Sequence, residues 1–359
     1  MDRQSFLKAG LFGLGLIFVP ATLRAEKMKK NVLVLGGTDF VGPAIVKACL
    51  VNGYNVTLLN RGITNPDLFP QLELIKCDRY KGIGNIPGLQ NRKWDAGIDV
   101  WPQDPRLVED SASFFKSSTD HYLYISSIAA YRDYKKLGID ETYPTRPGNN
   151  FVDGDYSTNK AVSERVIQKH FPKNFSIMRP CAIIGERDTS YAIRFWTWNI
   201  KRGNEILAPS GTKETVQFVD VDDLGRWVYE CIARSYFGFF NIAGPEQYLT
   251  FHEFIEQSRS IINPAAKIVY VSDQFLIVNN IDTSQATPLW HSYTENPGLR
   301  HVSNQKARSM GMKFKSVSEN IKDSLKSYDP NYQFGDRSNW AGLSGQEEKD
   351  LIAKWNATR

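Results

Sequence analysis

Asn31-Val-Leu-Val-Leu-Gly-Gly-Thr-Asp-Phe-Val-Gly-Pro43 decides the fold of this chain. Asn31–Leu35 is a continuous apolar run of the kind covered on both faces inside a parallel sheet. Gly36, Gly37 and Gly42 then make a turn, and Pro43 stands where the first turn of a helix tolerates a residue without an N–H. A strand that passes through glycines into a helix lets free backbone amides approach a pyrophosphate at the helix N-terminus. Asp39 sits inside this turn, where a carboxylate is unfavourable beside a phosphate unless it faces away or caps the helix.

The alternation continues outward. The first helix runs to about Leu50 and ends at Asn52-Gly53, and Val56–Leu59 reads as the second strand. Further strands are expected at 72–75, 96–100 and 122–125, with a helix over 106–116, a helix from Tyr156, and a strand Phe175–Arg179 closed by Pro180. Strand and helix in turn predict an α/β, Rossmann-type doubly wound parallel sheet. Beyond Cys181 the pattern is less regular, with helices at 221–233 and 251–262 and a strand at 239–242. The expected division is a nucleotide-binding domain over 31–180, a smaller C-terminal substrate-binding domain over 181–330, and a docking tail over 331–359. Trp340, Leu343, Leu351, Ile352 and Trp355 are the tail's apolar contacts.

With 359 residues, 42% hydrophobic and 23% charged, the chain has an ordinary globular composition. Its net charge of +5 includes three basic residues and one acidic residue in the first 25, so the remainder carries about +3. That is too slight to argue for a nucleic-acid partner. Residues 1–25 read as an export leader: Arg3 and Lys8, an apolar run from Ala9 to Pro20, and a cleavage-like Leu23-Arg-Ala25. Asp2-Arg-Gln-Ser-Phe-Leu-Lys8 resembles a twin-arginine export motif with Gln4 in place of the second Arg. Export is the expectation, against a membrane anchor or a cytoplasmic protein. Cys49, Cys77, Cys181 and Cys231 lack C-x-x-C spacing, and neither they nor the five His suggest a metal site.

Tyr156-Ser-Thr-Asn-Lys160 places a phenol and an ammonium on one face of a helix, with Ser127 upstream at the end of a strand. An ammonium there favours the ionised phenol, lowering a pKa otherwise near 10. Such a phenol exchanges a proton with a sugar hydroxyl while hydride moves to or from a nicotinamide, and Ser127 holds the same oxygen. The spacing recurs at Tyr131 and Lys135, in a polar stretch leading to Gly138 and Pro144 that reads as loop. The apolar stripe Ala161, Val162, Val166, Ile167 favours the Tyr156 copy.

The Gly-Gly-Thr-Asp-Phe-Val-Gly turn, Tyr124-Ile-Ser-Ser-Ile-Ala-Ala-Tyr131, the Tyr156/Lys160 pair, Arg179-Pro180 with Ile184-Gly185, Phe218-Val-Asp-Val-Asp-Asp-Leu224 and Phe240-Asn-Ile-Ala-Gly-Pro245 resemble the NAD-dependent epimerase/dehydratase family of extended short-chain dehydrogenase/reductases. The resemblance runs from about Asn31 to Thr250. It implies a retained dinucleotide, chemistry on a sugar or nucleotide sugar, and catalysis by Ser127, Tyr156 and Lys160, with Lys160 also on the nicotinamide ribose. It places the cofactor on Gly36, Gly37, Thr38, Phe40, Val41, Gly42, Asn60, Arg61, Asp78 and Lys160, and the sugar near Trp101, Arg187, Trp196 and Trp198. Where the family usually has an acidic residue, Asn60-Arg61-Gly62 offers a guanidinium to a 2′-phosphate, so NAD(P) is expected with a lean towards NADP. The turn and Asn60-Arg61-Gly62 also resemble an atypical branch that includes chloroplast stem-loop RNA-binding proteins. The kept Tyr/Lys pair argues for catalysis. A redox-neutral epimerase or dehydratase working through a keto-sugar is expected, with a net dehydrogenase or reductase as alternative and a homodimer left open.

Overall fold

The computed structural model describes residues 29–100, 103–148, 154–203, 205–281, 283–292, 296–335 and 342–359. The expected leader, Trp101 and Trp340 lie outside the described residues.

In chain order the elements begin β1 (Asn31–Leu35), α1 (Val41–Val51), β2 (Asn55–Asn60), β3 (Glu73–Lys76), β4 (Ala96–Asp99), α2 (Pro105–Phe115), β5 (Tyr122–Ile125), α3 (Tyr156–His170) and β6 (Phe175–Pro180). They continue with β7 (Ala182–Ile184), α4 (Ala192–Arg202), β8 (Glu205–Pro209), β9 (Thr215–Val216), β10 (Phe218–Asp220), α5 (Val221–Arg234) and β11 (Gly238–Ile242). Last come β12 (Leu249–Thr250), α6 (Phe251–Ile262), β13 (Lys267–Val271), α7 (Asp273–Val278), α8 (Thr283–Ala286), α9 (Gln305–Ser309), α10 (Val317–Ser324) and α11 (Gly345–Ala357).

Seven parallel strands form the central sheet in the order β11-β6-β5-β4-β1-β2-β3. The chain therefore switches direction between β1 and β4, and α/β sheets bind ligands at the carboxyl ends of the strands flanking such a switch. Val32 to Leu35 are fully buried, as the apolar run requires. One face is covered by α1 packed on α5, the other by α2 packed on α3.

The boundary expected at 180/181 is crossed. After β7 the chain returns, and α5 and β11 complete the first unit by hydrogen-bonding β11 beside β6. Val302, Ala307 and Met312 also join the core of that unit. Covering both the edge of β6 and the apolar face of α1 requires these later segments. A second core gathers α4, α6, α10, α11 and the short pairs β8/β13 and β9/β12. In the tail, Leu351 and Ile352 are buried in it, and Trp355 meets Phe275 edge-on at 4.9 Å. All four cysteines are buried and unpaired. Among the described residues no helix is long and apolar enough to cross a membrane, and no His/Cys/Asp/Glu group could hold a metal.

Candidate active site

At the carboxyl end of β1, Gly36 and Gly37 adopt φ of 110° and 97°. A Cβ on Gly42 would meet the Gly37 Cα at 2.5 Å, so the helix can start this close to the turn only with glycine there. Phe40 precedes α1 without a side-chain cap, and no acidic residue occupies the first turn. By contrast, Asp104, Asp155, Asp220 and Thr250 cap α2, α3, α5 and α6. The amides at the N-terminus of α1 are therefore left to an outside acceptor, which fits the phosphates of a dinucleotide. Thr38 is buried and Asp39 is exposed, capping nothing.

The residues after β2 divide in role. Asn60 donates from Nδ2 to the Gly36 carbonyl at 2.7 Å and accepts from the Gly62 amide at 2.7 Å. Its amide holds the glycine turn in place, so Asn60 supports the cradle rather than gripping a ribose. Arg61 is exposed. Asp78 caps a short 3₁₀ turn, its carboxylate accepting from the Tyr80 amide at 3.2 Å, and remains partly exposed.

Asp155 caps α3 by accepting from the Ser157 and Thr158 amides, so Tyr156 opens the helix and Lys160 follows one turn later. Tyr156 is 44% exposed, whereas Lys160 is buried. The Lys160 ammonium lies 5.8 Å from the centre of the Tyr156 ring. It donates to the Tyr124 hydroxyl at 3.2 Å and to the Ile125 carbonyl at 2.8 Å. Ser127 caps the next 3₁₀ turn by accepting from the Ala129 amide at 3.1 Å, and its hydroxyl also interacts with that of Tyr156.

The electrostatics differ from expectation. Although the residue as a whole is 44% exposed, desolvation around its hydroxyl raises the Tyr156 phenol above its ordinary value, and Ser127 is the group that acts to lower it. Burial pushes Lys160 down to about 8, with Asp99 and then Glu164 resisting. The expected lowering of Tyr156 by Lys160 is absent because the ammonium is drawn down to Tyr124 and the β5 backbone.

Beneath the pair lies a network that sequence reasoning missed. Asp99 at the end of β4 is fully buried and accepts both terminal nitrogens of Arg79 at 2.8 and 2.9 Å, together with the Tyr122 hydroxyl at 3.1 Å. Arg79 also donates to the Leu107 carbonyl and Ser111 Oγ. A second buried pair fixes α3: Glu164 accepts from Arg179 at 2.9 and 2.7 Å and from Ser126 at 2.6 Å. Asp99 interrupting the apolar run Ala96–Val100 and Glu164 one turn beyond Lys160 were the available signals.

Tyr131 is fully buried in a loop, its hydroxyl on Asn241 and the Asp140 carbonyl, and Lys135 is exposed. Trp196 and Trp198 are corrections: 0% and 2% exposed, they belong to the second core. Their indoles donate to the Pro288 and Ser324 carbonyls, so no ring face is left for a sugar. Helical apolar spacing made them core residues. Arg187 is partly exposed at φ 67°, its Nε 3.9 Å from Glu186.

No protein-family model matches the chain, and no curated protein is significantly similar to it. Solved structures are similar at low identity. UDP-glucose 4-epimerase of Thermotoga maritima, solved with UDP-glucose, is 17% identical with a TM-score of 0.59, over 82% of this chain and 97% of that one. The UDP-glucuronic acid 4-epimerase of Bacillus cereus in complex with NAD is 16% identical, TM-score 0.60, over 83% and 100%. The Bordetella bronchiseptica enzyme WbmG in complex with NAD is 14% identical, TM-score 0.62, over 85% and 95%. The chain has the fold of nucleotide-sugar epimerases.

Proposed function

We propose that this protein is an NAD(P)-dependent enzyme that epimerises or dehydrates a sugar or nucleotide sugar through a transient keto intermediate. The observation that carries the reading is the meeting of Ser127, Tyr156 and Lys160 at the carboxyl end of the sheet, across the switch point from the uncapped turn of α1. A nicotinamide dinucleotide bound there supplies a hydride acceptor and donor. Gly37 and Gly42 give its phosphates backbone amides, the Gly36 amide being held by the Leu59 carbonyl at 2.9 Å, and Lys160 has a hydrogen-bonding N–H beyond those on Tyr124 and Ile125 for a ribose hydroxyl.

Tyr156 takes the proton from the sugar hydroxyl being oxidised and returns it on reduction. Ser127 hydrogen-bonds the same region and stabilises the charge that develops on oxygen. Lys160, held by Tyr124, supplies positive charge beneath. The similar epimerases support a redox-neutral cycle over net oxidation. The lack of a carboxylate at the end of β2 and the exposed Arg61 favour NADP, whereas the Bacillus cereus and Bordetella bronchiseptica structures named above both contain NAD.

Denaturing the purified protein and identifying released nucleotide by mass spectrometry tests this reading. About one equivalent of NADP or NAD surviving gel filtration is expected, and its 2′-phosphate distinguishes the two. Protein that retains none and oxidises sugars only with stoichiometric added cofactor is an ordinary dehydrogenase instead.

A further inference from the structure

The edge of the central sheet opposite the site has a chemistry of its own. All seven parallel strands start there, and α1, α2, α3 and α5 end there, because each runs back to begin the next strand. Backbone bonds lace these starts together. The Asn55 amide donates to the Lys30 carbonyl at 2.9 Å, the Asp95 amide to the Asn31 carbonyl at 2.9 Å, the Trp94 amide to the Ser118 carbonyl at 2.8 Å, and the Tyr122 amide to the Asn174 carbonyl at 3.0 Å.

Lys29, Lys30, Lys93, Lys116 and Lys173 therefore lie along one rim, and all but Lys30 are exposed. Lys30 and Lys93 donate to the Ile232 and Ser117 carbonyls, and among the described residues none of the five forms an ion pair. Nearby Glu73, Glu109 and Glu230 are taken by Arg92, by Lys169 and His170, and by Arg234. The lysines thus outnumber the carboxylates left over, Asp120 and Asp95, the latter held on the Asn31 amide at 2.7 Å.

Apolar side chains share the rim. Val51, closing α1, is 87% exposed, and Phe237, just before β11, is 42% exposed. The chain enters the fold here through Lys29 and Lys30, and the apolar run Ala9–Pro20 precedes them in the sequence. That run is shorter than the roughly 20 residues that cross a bilayer. Stable attachment to a membrane takes two signals, such as an apolar insert and a basic patch, and both converge on this rim.

We propose that this rim is a membrane-docking face, resting on anionic phospholipid headgroups while Ala9–Pro20 inserts beside it. Residues 1–25 are then kept as an anchor, and the Ser127–Tyr156 site at the carboxyl ends of the strands faces away from the lipid. Docking does not depend on the reaction catalysed.

Sedimentation of the full-length protein, residues 1–25 present, with extruded vesicles tests the face. Vesicles of equal parts phosphatidylglycerol and phosphatidylcholine should carry the protein down, and phosphatidylcholine alone should carry far less. A lysine near an anionic surface strengthens binding about 5-fold, so Lys93→Gln, Lys116→Gln and Lys173→Gln together should weaken it about 100-fold. Lys81→Gln, Lys201→Gln and Lys322→Gln remove the same charge from exposed positions off the rim and should leave binding near native. With Ile17→Asp the attachment should wash off in high salt, which screens the lysines. Because all four native cysteines are buried, a polarity-sensitive dye on Val51→Cys reports that position alone. It should shift to the blue on phosphatidylglycerol vesicles, and the same dye on Lys81→Cys should not. The proposal fails if neither vesicle binds, if binding ignores phosphatidylglycerol, if both lysine triples weaken it equally, if Ile17→Asp holds in high salt as the native chain does, or if the dye shifts at position 81 and not at 51. Retention of single-stranded RNA by this rim in place of vesicles overturns it too, assigning the basic face to nucleic acid.

Discussion

Replacing Asp99 by Asn removes one charge from beneath Lys160 and changes almost nothing in shape. Asp99 is fully buried and accepts two hydrogen bonds from Arg79 and one from Tyr122. Neutralising one partner of a buried ion pair costs about 3–5 kcal/mol, because the other charge is left stranded out of water. Arg79 keeps its bonds to the Leu107 carbonyl and Ser111, so a loss near the lower end, about 3 kcal/mol, is expected. Against a typical total of about 5–15 kcal/mol that is readily measured. Asp99 is also the stronger of the two attractions holding up Lys160, so the ammonium should titrate below its present value of about 8. Urea unfolding of Asp99→Asn, Arg79→Met and the double variant measures the first effect. NMR of ε-¹³C-labelled lysine reads the second. The double variant should lose less than the two single losses added together, since it strands no charge. The reasoning is refuted if Asp99→Asn stays within about 1 kcal/mol of the native protein, well short of the cost of stranding a buried charge, or if Lys160 titrates unchanged.

Four further outcomes are expected. Tyr156→Phe should lower turnover about 100- to 10,000-fold once a substrate is found, with normal folding by circular dichroism; near-native turnover would remove Tyr156 from the chemistry. Gly42→Ala forces a methyl group into the Gly37 backbone and should abolish nucleotide retention while costing about 1–3 kcal/mol in a denaturation curve. Lys160 titrates near 8 when folded against 10.5 ordinarily, so the unfolded chain binds the extra proton between those values and this group's contribution to stability rises with pH across them. Lys160→Met should flatten stability curves over that window. Glu348, raised by burial to about 7 from 4.5, contributes stability below 4.5 that is lost as pH rises through 7, so Glu348→Gln should stabilise the protein at pH 8 by on the order of 2–3 kcal/mol, read by thermal melts.

The first half of the chain was legible because its signals are local. Apolar runs, glycines at a strand end and a helix opening at Tyr156 each need only neighbouring residues to be read. The return of α5 and β11 to the first sheet was not legible, because covering the edge of β6 is a pairing across some sixty positions. The same limit explains Trp196 and Trp198: aromatic residues at helical spacing suit a core and a pocket equally, and only packing chooses. Lys160 shows a subtler failure. Its spacing from Tyr156 was readable, but the groups that draw its ammonium aside, Tyr124 and Ile125, come from β5.

The Asn60 amide has a consequence for redesign. An engineer wishing to exchange one nicotinamide dinucleotide for the other would first install an acid at the end of β2, as many dehydrogenases have there. Here Asn60→Asp would turn a donor into a second acceptor facing the Gly36 carbonyl, and the glycine turn would be pushed open by the carboxylate meant to improve it. On the proposed reading, specificity at the adenosine end would be retuned from Arg61 onward, where side chains reach solvent, while position 60 is part of the frame and has to be left alone.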